Sequence, residues 1–241
     1  MKKLAVLLAL VMTVLCLTGC GKDDSGKNSG QNAKMTKGEI ITFGHYEQDN
    51  NLSNGVEPIE WIVLDVQDGK ALLLSRYALD AIAYHSVSDD ITWENCTLRR
   101  WLNNDFRNSA FSAKEQQAIL TTDVDNSNAQ GYGRWNTDGG NNTRDRIFLL
   151  SYHEAFDLYF SNDEARMCVP TDFAVANGAW TSSVYKVNGR KTGAGWLRSP
   201  GCNQSYGAIV DGDGSRGYYT VSYDGNVIRP ALWVNLNSDI F

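Results

Sequence analysis

The 241-residue sequence lacks most of the features that announce a function. It has no G-x-S-x-G stretch, so no nucleophile elbow is offered to a serine hydrolase. It has no C-x-x-C and no Cys/His pair at ligand spacing, which argues against a zinc site. It has no basic excess: 22 Lys and Arg stand against 28 Asp and Glu, a net charge of −6. That balance argues against a nucleic-acid partner, which calls for a basic face. Beyond the first twenty residues there is no long apolar run, so the remainder reads as a soluble domain. Cysteine is sparse. Of five, Cys16 and Cys20 fall in the first twenty residues, leaving Cys96, Cys168 and Cys202. Three thiols close at most one bridge and leave one free.

What is present begins with an address. Lys2 and Lys3 precede the apolar run LAVLLALVMTVLCL, residues 4–17. It is shorter than the about 20 residues a bilayer span needs, but it has the length of a signal-peptide core. Leu17-Thr18-Gly19-Cys20 is similar to a bacterial lipobox, in which the Cys is lipidated and becomes the new N-terminus. Residues 1–20 are therefore expected to be a lipoprotein signal peptide. The partner is then a lipid membrane, gripped through acyl chains on Cys20 that contribute about 0.8 kcal/mol per buried CH₂. The expected location is the cell membrane, lipid-anchored and outward-facing. Residues 21–37 are Gly, Ser, Asn, Lys and Asp with almost nothing apolar. Such a segment cannot bury enough surface to offset its chain entropy, and it reads as a flexible tether. Residues 38–241 suit one domain. Seven Trp, eleven Tyr and eight Phe supply its core.

The domain opens with strands. EIITFG is a short β-rich run, and EPIEWIVLDVQDGKALLLS reads as a hairpin turning at Asp68-Gly69. Ile59, Trp61 and Val63 lie on one face of it, and Ile62, Leu64 and Val66 on the other, so both faces should be covered. Helices follow. Thr92 is placed to cap a segment with Leu98, Trp101, Leu102 and Phe106 at helical spacing. Ser112 and Glu115 form a capping box, and so do Ser151 and Glu154. A further turn of helix is expected from Thr171 to Asn177, stopped by Gly178. The last third returns to strands: YGAIV, YYTVS and VIRPALWVNL read as an antiparallel meander that pairs with the early hairpin. The expectation is an α+β single domain with an N-terminal hairpin, three helices and a C-terminal antiparallel meander.

Residues 121–146 form a long polar stretch, and loops beyond about 12–15 residues are uncommon unless functional or disordered. This one holds Tyr132 and Trp135 beside Asn136 and Asp138. Flat rings cover an apolar sugar or peptide face while amides and carboxylates bond its polar groups. With Asn203 and Tyr206 from the turns near 203–217, these six are the candidate ligand-binding residues, for an extracellular glycan or protein. The competing reading is that the aromatics fold back and pin the loop. Asp211 and Asp213 alternate with glycine as calcium loops do. Yet the twelfth position is Ser222, where an EF-hand wants a bidentate Glu. No cofactor is required, and calcium in another geometry is the alternative.

GWLRSPGC, residues 195–202, holds Ser199 and Cys202 beside Arg198. A nucleophile needs a base, and the histidines are His45, His85 and His153. No catalytic residue is assigned. The simpler reading makes Ser-Pro-Gly a turn, Trp196 a core residue, and Arg198 a brace paired with Asp145. The alternative function is a cell-envelope enzyme using Cys202 or another loop residue.

The series EWIVLD, LRRWLN, FLLS, WLRSPG and RPALWVNL, in that order, resembles a bacterial domain family of unknown function found in secreted and lipid-anchored proteins. That resemblance implies an architecture and no activity. A weaker one is to the C-type-lectin-like fold, which includes formylglycine-generating enzymes. Those have a pair of reactive cysteines near the C-terminal end, where this sequence has Cys202 alone. The likeness implies a rigid scaffold presenting a variable loop face.

Overall fold

A computed structural model describes residues 35–241. The apolar start, Cys20 and most of the expected tether lie outside the described residues. The tether was expected to run to residue 37, but Met35 already packs on the core and the Thr36 amide donates to Glu39 Oε2 at 2.9 Å.

The described residues form a mixed α/β domain, mostly strands. One sheet has four strands in the order β1 (Ile40–Tyr46), β2 (Glu57–Gln67), β3 (Lys70–Ser75) and β13 (Ala231–Asn235). The hairpin forms where Asp68-Gly69 places it. Both residues take positive φ, 50° and 73°, as a two-residue turn matched to the strand twist demands. Trp61 pairs with Ser75 and Val63 with Leu73, and on the far side Leu232 pairs with Leu73. The last strand thus returns to the first hairpin.

The second sheet has five strands in the order β11 (Arg216–Thr220), β10 (Tyr206–Val210), β9 (Gly195–Pro200), β12 (Val227–Ile228) and β4 (Asp80–Ala81). Two findings differ from the sequence reading. GWLRSP is an interior strand, β9, and the corner begins after it at Gly201, whose amide donates to the Tyr206 carbonyl at 2.6 Å. The meander is β9-β10-β11, whereas the final run VIRPALWVNL is split between the two sheets as β12 and β13. The split falls at Arg229-Pro230, where proline can give no ladder hydrogen bond. Two small ribbons, β5 (Thr122–Val124) with β6 (Thr143–Asp145) and β7 (Lys186–Val187) with β8 (Arg190–Lys191), complete the strands.

The helices are short. α1 (Thr97–Trp101) passes through a wide π turn, Leu102–Phe106, into α2 (Arg107–Ala110). Thr92 makes no side-chain cap; the cap of α1 is Cys96, whose Sγ accepts from the Arg99 amide at 3.4 Å. Ser112 and Glu115 do form the reciprocal capping box that opens α3 (Ala113–Ala118). At the next box the Ser151 amide donates to Glu154 Oε2 at 2.8 Å and the Glu154 amide to Ser151 Oγ at 3.0 Å. The segment it opens, Glu154–Leu158, winds as a π turn. α4 (Asp163–Arg166) was not foreseen, and α5 (Asp172–Ala176) is capped by Thr171. No helix among the described residues is long and apolar enough to cross a membrane.

Three tryptophans with at most 2% exposure sit in the main core, and each satisfies its indole N–H. Trp61 donates to the Phe43 carbonyl (2.6 Å), Trp93 to Asp145 Oδ2 (2.9 Å) and Trp196 to the Ile82 carbonyl (3.0 Å). A buried indole otherwise loses a hydrogen bond to water.

Candidate functional site

The edge strand β11 separates two aromatic regions that differ in how they are filled. Side chains alternate across a strand, so Arg216 and Tyr218 point to one face of the sheet and Gly217 and Tyr219 to the other.

The first face carries the long loop. Trp135 meets Tyr218 edge-on at 5.2 Å between ring centroids, and Tyr132 meets Trp135 and Tyr152, each at 5.0 Å. Tyr152 stacks on Phe156 at 4.6 Å. The Arg216 guanidinium lies over the Tyr132 ring at 4.9 Å and donates to the Tyr152 hydroxyl at 3.2 Å. Both loop aromatics are half-buried against the core. The loop is therefore pinned by its own rings, the competing reading of the sequence. Of the other candidates, Asn136, Asp138 and Asn203 are exposed. Asp138 Oδ1 accepts from the Gly140 amide and Asn203 Oδ1 from the Ser205 amide, each at 3.0 Å. Tyr206 packs edge-on against Tyr218 at 5.4 Å.

The pins below the loop come from β9. Arg198 is 3% exposed, and its partner is Glu154 rather than Asp145. Its Nη2 donates to Glu154 Oε1 at 3.0 Å and to the Asp125 carbonyl at 3.1 Å, and its Nη1 donates to Glu154 Oε2 and to the Leu149 carbonyl. Asp145 is committed elsewhere. It accepts from Arg99 Nε (2.6 Å), Thr143 Oγ1 (2.7 Å) and Trp93 Nε1 (2.9 Å), so its guanidinium partner is Arg99. Glu154 was legible only as a helix cap; the same carboxylate caps its turn and holds Arg198.

Ser199 is likewise occupied. Its hydroxyl donates to the Gln130 carbonyl at 2.7 Å and accepts from the Tyr152 amide at 2.9 Å. Cys202 is half-buried, and no imidazole among the described residues is hydrogen-bonded to it. His85 Nδ1 accepts from the Thr97 amide at 3.3 Å, and His153 Nδ1 faces Asp157 at 3.0 Å. Cys96 is buried, and burial pushes its thiol up to about 12. Burial raises the Cys168 thiol as well. Neither is poised as a thiolate at neutral pH.

The second face is open. A cleft of about 410 Å³ is lined by Trp180, Tyr219 and Tyr223, with Asp211 and Asn226 among its polar groups. Trp180 and Tyr219 are 42% and 44% exposed, far above the core tryptophans. Tyr219 and Tyr223 lie 4.3 Å apart, with ring planes inclined by 39°. Gly225 permits this, because a Cβ there would stand 2.4 Å from the Tyr223 hydroxyl. Asn226 is 1% exposed, and its amide Nδ2 has no acceptor. A buried donor left unpaired costs about 1–3 kcal/mol. Asp211 Oδ1 accepts from the Gly212 amide at 2.6 Å, while no protein donor is bonded to Oδ2. Asp213 Oδ1 accepts from the Ser215 amide at 2.8 Å. Both carboxylates thus serve their own turn. The one set of three metal-ligating groups converging within 4.8 Å among the described residues is elsewhere, at Glu47, Asp49 and Glu57.

Of this cleft the sequence reading named only Asp211. A signal existed: in YYTVSYDGN two successive tyrosines sit in β11, and alternation along a strand puts one ring on each face of the sheet.

Together these elements define a small mixed α/β domain with a filled aromatic face and an open aromatic cleft on either side of one edge strand. The chain belongs to the family described as Domain of unknown function (DUF6273), which matches residues 68–236. No curated protein and no solved structure matches it.

Proposed function

We propose that this protein is a lipid-anchored, outward-facing binding module that takes a glycan in the cleft of Trp180, Tyr219 and Tyr223. The observation that carries the reading is Asn226: a buried amide without an acceptor, at an open cleft walled by exposed rings. Rings cover the apolar face of a sugar, and a few fixed polar groups set its orientation. Asn226 Nδ2 donates and Asp211 Oδ2 accepts, and a hydroxyl, which does both, answers both groups. Asn136, Asp138 and Asn203 stand on the opposite face as secondary contacts for a long chain. In this reading Cys20 carries the anchor, and residues 21–34 give the domain reach from the membrane. The C-type-lectin-like arrangement is part of the same proposal. It is supported by the last strand returning to the first hairpin, with irregular segments gathered around the second sheet.

The test is calorimetric titration of the full chain in neutral detergent with cell-wall glycan fragments. Wild type is expected to bind, with Trp180→Ala and Tyr219→Ala each weakening affinity at least tenfold, about 1.4 kcal/mol. Trp135→Ala should leave affinity nearly unchanged. Loss with Trp135→Ala and none with Trp180→Ala would move the site to the loop face.

A further inference from the structure

A second cleft is built of arginine. It encloses about 510 Å³ between the α1–α2 segment and β6. Arg99, Arg100, Arg107, Arg144 and Arg146 line it, against the carboxylates of Glu94 and Asp145 alone. Five of the chain's 22 basic residues are gathered in one recess of a protein whose net charge is −6.

Their pairing leaves charge over. Asp145 is 1% exposed, and its carboxylate is taken up by Arg99 Nε, Trp93 and Thr143. Glu94 Oε2 accepts from Asn141 Nδ2 at 3.0 Å. Arg146 Nη1 donates to the Ile119 carbonyl at 2.8 Å and to the Gln116 carbonyl at 3.3 Å, neutral acceptors that leave its charge uncompensated. Arg144 meets Asp123 at 3.3 Å with both side chains exposed, where solvent screens the pair. Among the described residues Arg100 and Arg107 have no carboxylate within 4.0 Å, and the buried Nε of Arg107 has no acceptor at all. Like charges held together in a recess repel unless an anion joins them.

We infer that this cleft binds a phosphate group. The guanidinium fork matches two phosphate oxygens at once, and Arg107 offers a desolvated donor that no protein atom satisfies. Arg100, on the exposed face of α1, guides the anion in. The phosphate can belong to a soluble phosphate compound or to a phospholipid headgroup. The glycan reading does not depend on this site, and either can fail alone.

The test uses the full chain in neutral detergent. Inorganic phosphate is titrated at low ionic strength into wild type, Arg100→Gln and Arg107→Gln, and unfolding temperature is recorded with and without phosphate. Wild type should bind, and its unfolding temperature should rise. Arg107→Gln should weaken binding at least tenfold, and Arg100→Gln, a surface change that keeps the fold, severalfold. In a second arm, flotation with phosphatidylcholine vesicles is compared with and without phosphatidylglycerol, for wild type and both variants. Arginine-dependent binding to free phosphate assigns a soluble ligand. Arginine-dependent binding only to phosphatidylglycerol vesicles assigns the headgroup. Binding to neither, or binding that both variants retain in full, overturns the inference.

Discussion

The two faces of β11 carry the same kinds of side chain and use them in opposite ways. On the loop face, Trp135, Tyr132 and Tyr152 contact one another and are drawn into the core. On the cleft face, Trp180 and Tyr219 keep more than two-fifths of their surface in solvent. In and under the loop, Arg198 and Ser199 donate to the Asp125 and Gln130 carbonyls, while Arg198 Nε and Asn126 Oδ1 stay unpaired. Beside the cleft, Asn226 leaves a donor unanswered. Aromatic residues in a long loop are thus not themselves a sign of binding. An unpaired buried polar group says more where the rings above it also keep their surface in solvent.

The contrast can be broken experimentally, beginning with its strongest member. Arg198→Ala leaves the Glu154 carboxylate and the Asp125 carbonyl without their partner and should destabilise the domain by about 3–5 kcal/mol. Thermal unfolding measures this, and a melting temperature equal to wild type would show that the pin is idle. Trp135→Ala should cost about 1–2 kcal/mol through its lost ring contacts, and Trp180→Ala about 0.5 kcal/mol or less. The order reverses for glycan affinity, so equal effects of both variants on both measurements would erase the distinction between the faces.

The smallest effect is a pH dependence confined to the loop. The Ser127 amide, donating at 2.8 Å, holds the Asp125 carboxyl below its ordinary value, with further help from Gln130 and Arg198. A carboxyl lowered in the folded state contributes stability that is present above its unfolded value and lost as pH falls through the lowered one. Amide exchange in residues 125–130 should therefore speed up on acidification, relative to the cleft. Asp125→Asn should abolish that extra dependence. An identical acid response in wild type and variant would remove Asp125 from the account.

Local chemistry made much of the fold legible. Asp68-Gly69 specifies its turn whatever surrounds it, and Ser112 with Glu115 specifies a helix start, because each acts within four residues. The arginine of GWLRSPG could be recognised as buried structure, but not its partner. Asp145 and Glu154 are both carboxylates within range, and the choice rested on Trp93 and Arg99, some fifty residues away in the chain, claiming Asp145 first. The split of VIRPALWVNL between two sheets is a long-range outcome of the same kind. The open cleft was missed because Trp180, Asp211, Tyr219 and Asn226 come from separate turns and only converge in space. The loop residues were conspicuous because they are contiguous.

The family footprint begins at Asp68, at the tip of the first hairpin, whereas β1 and β2 precede it and complete the sheet. An expression boundary drawn at residue 68 would remove Phe43 and Trp61 from the hydrophobic interior and bare the backbone ladder of β3. That edge would carry Leu72, Leu73 and Leu74 in a row, a template for aggregation. The unit that folds is thus wider than the unit by which the family is recognised.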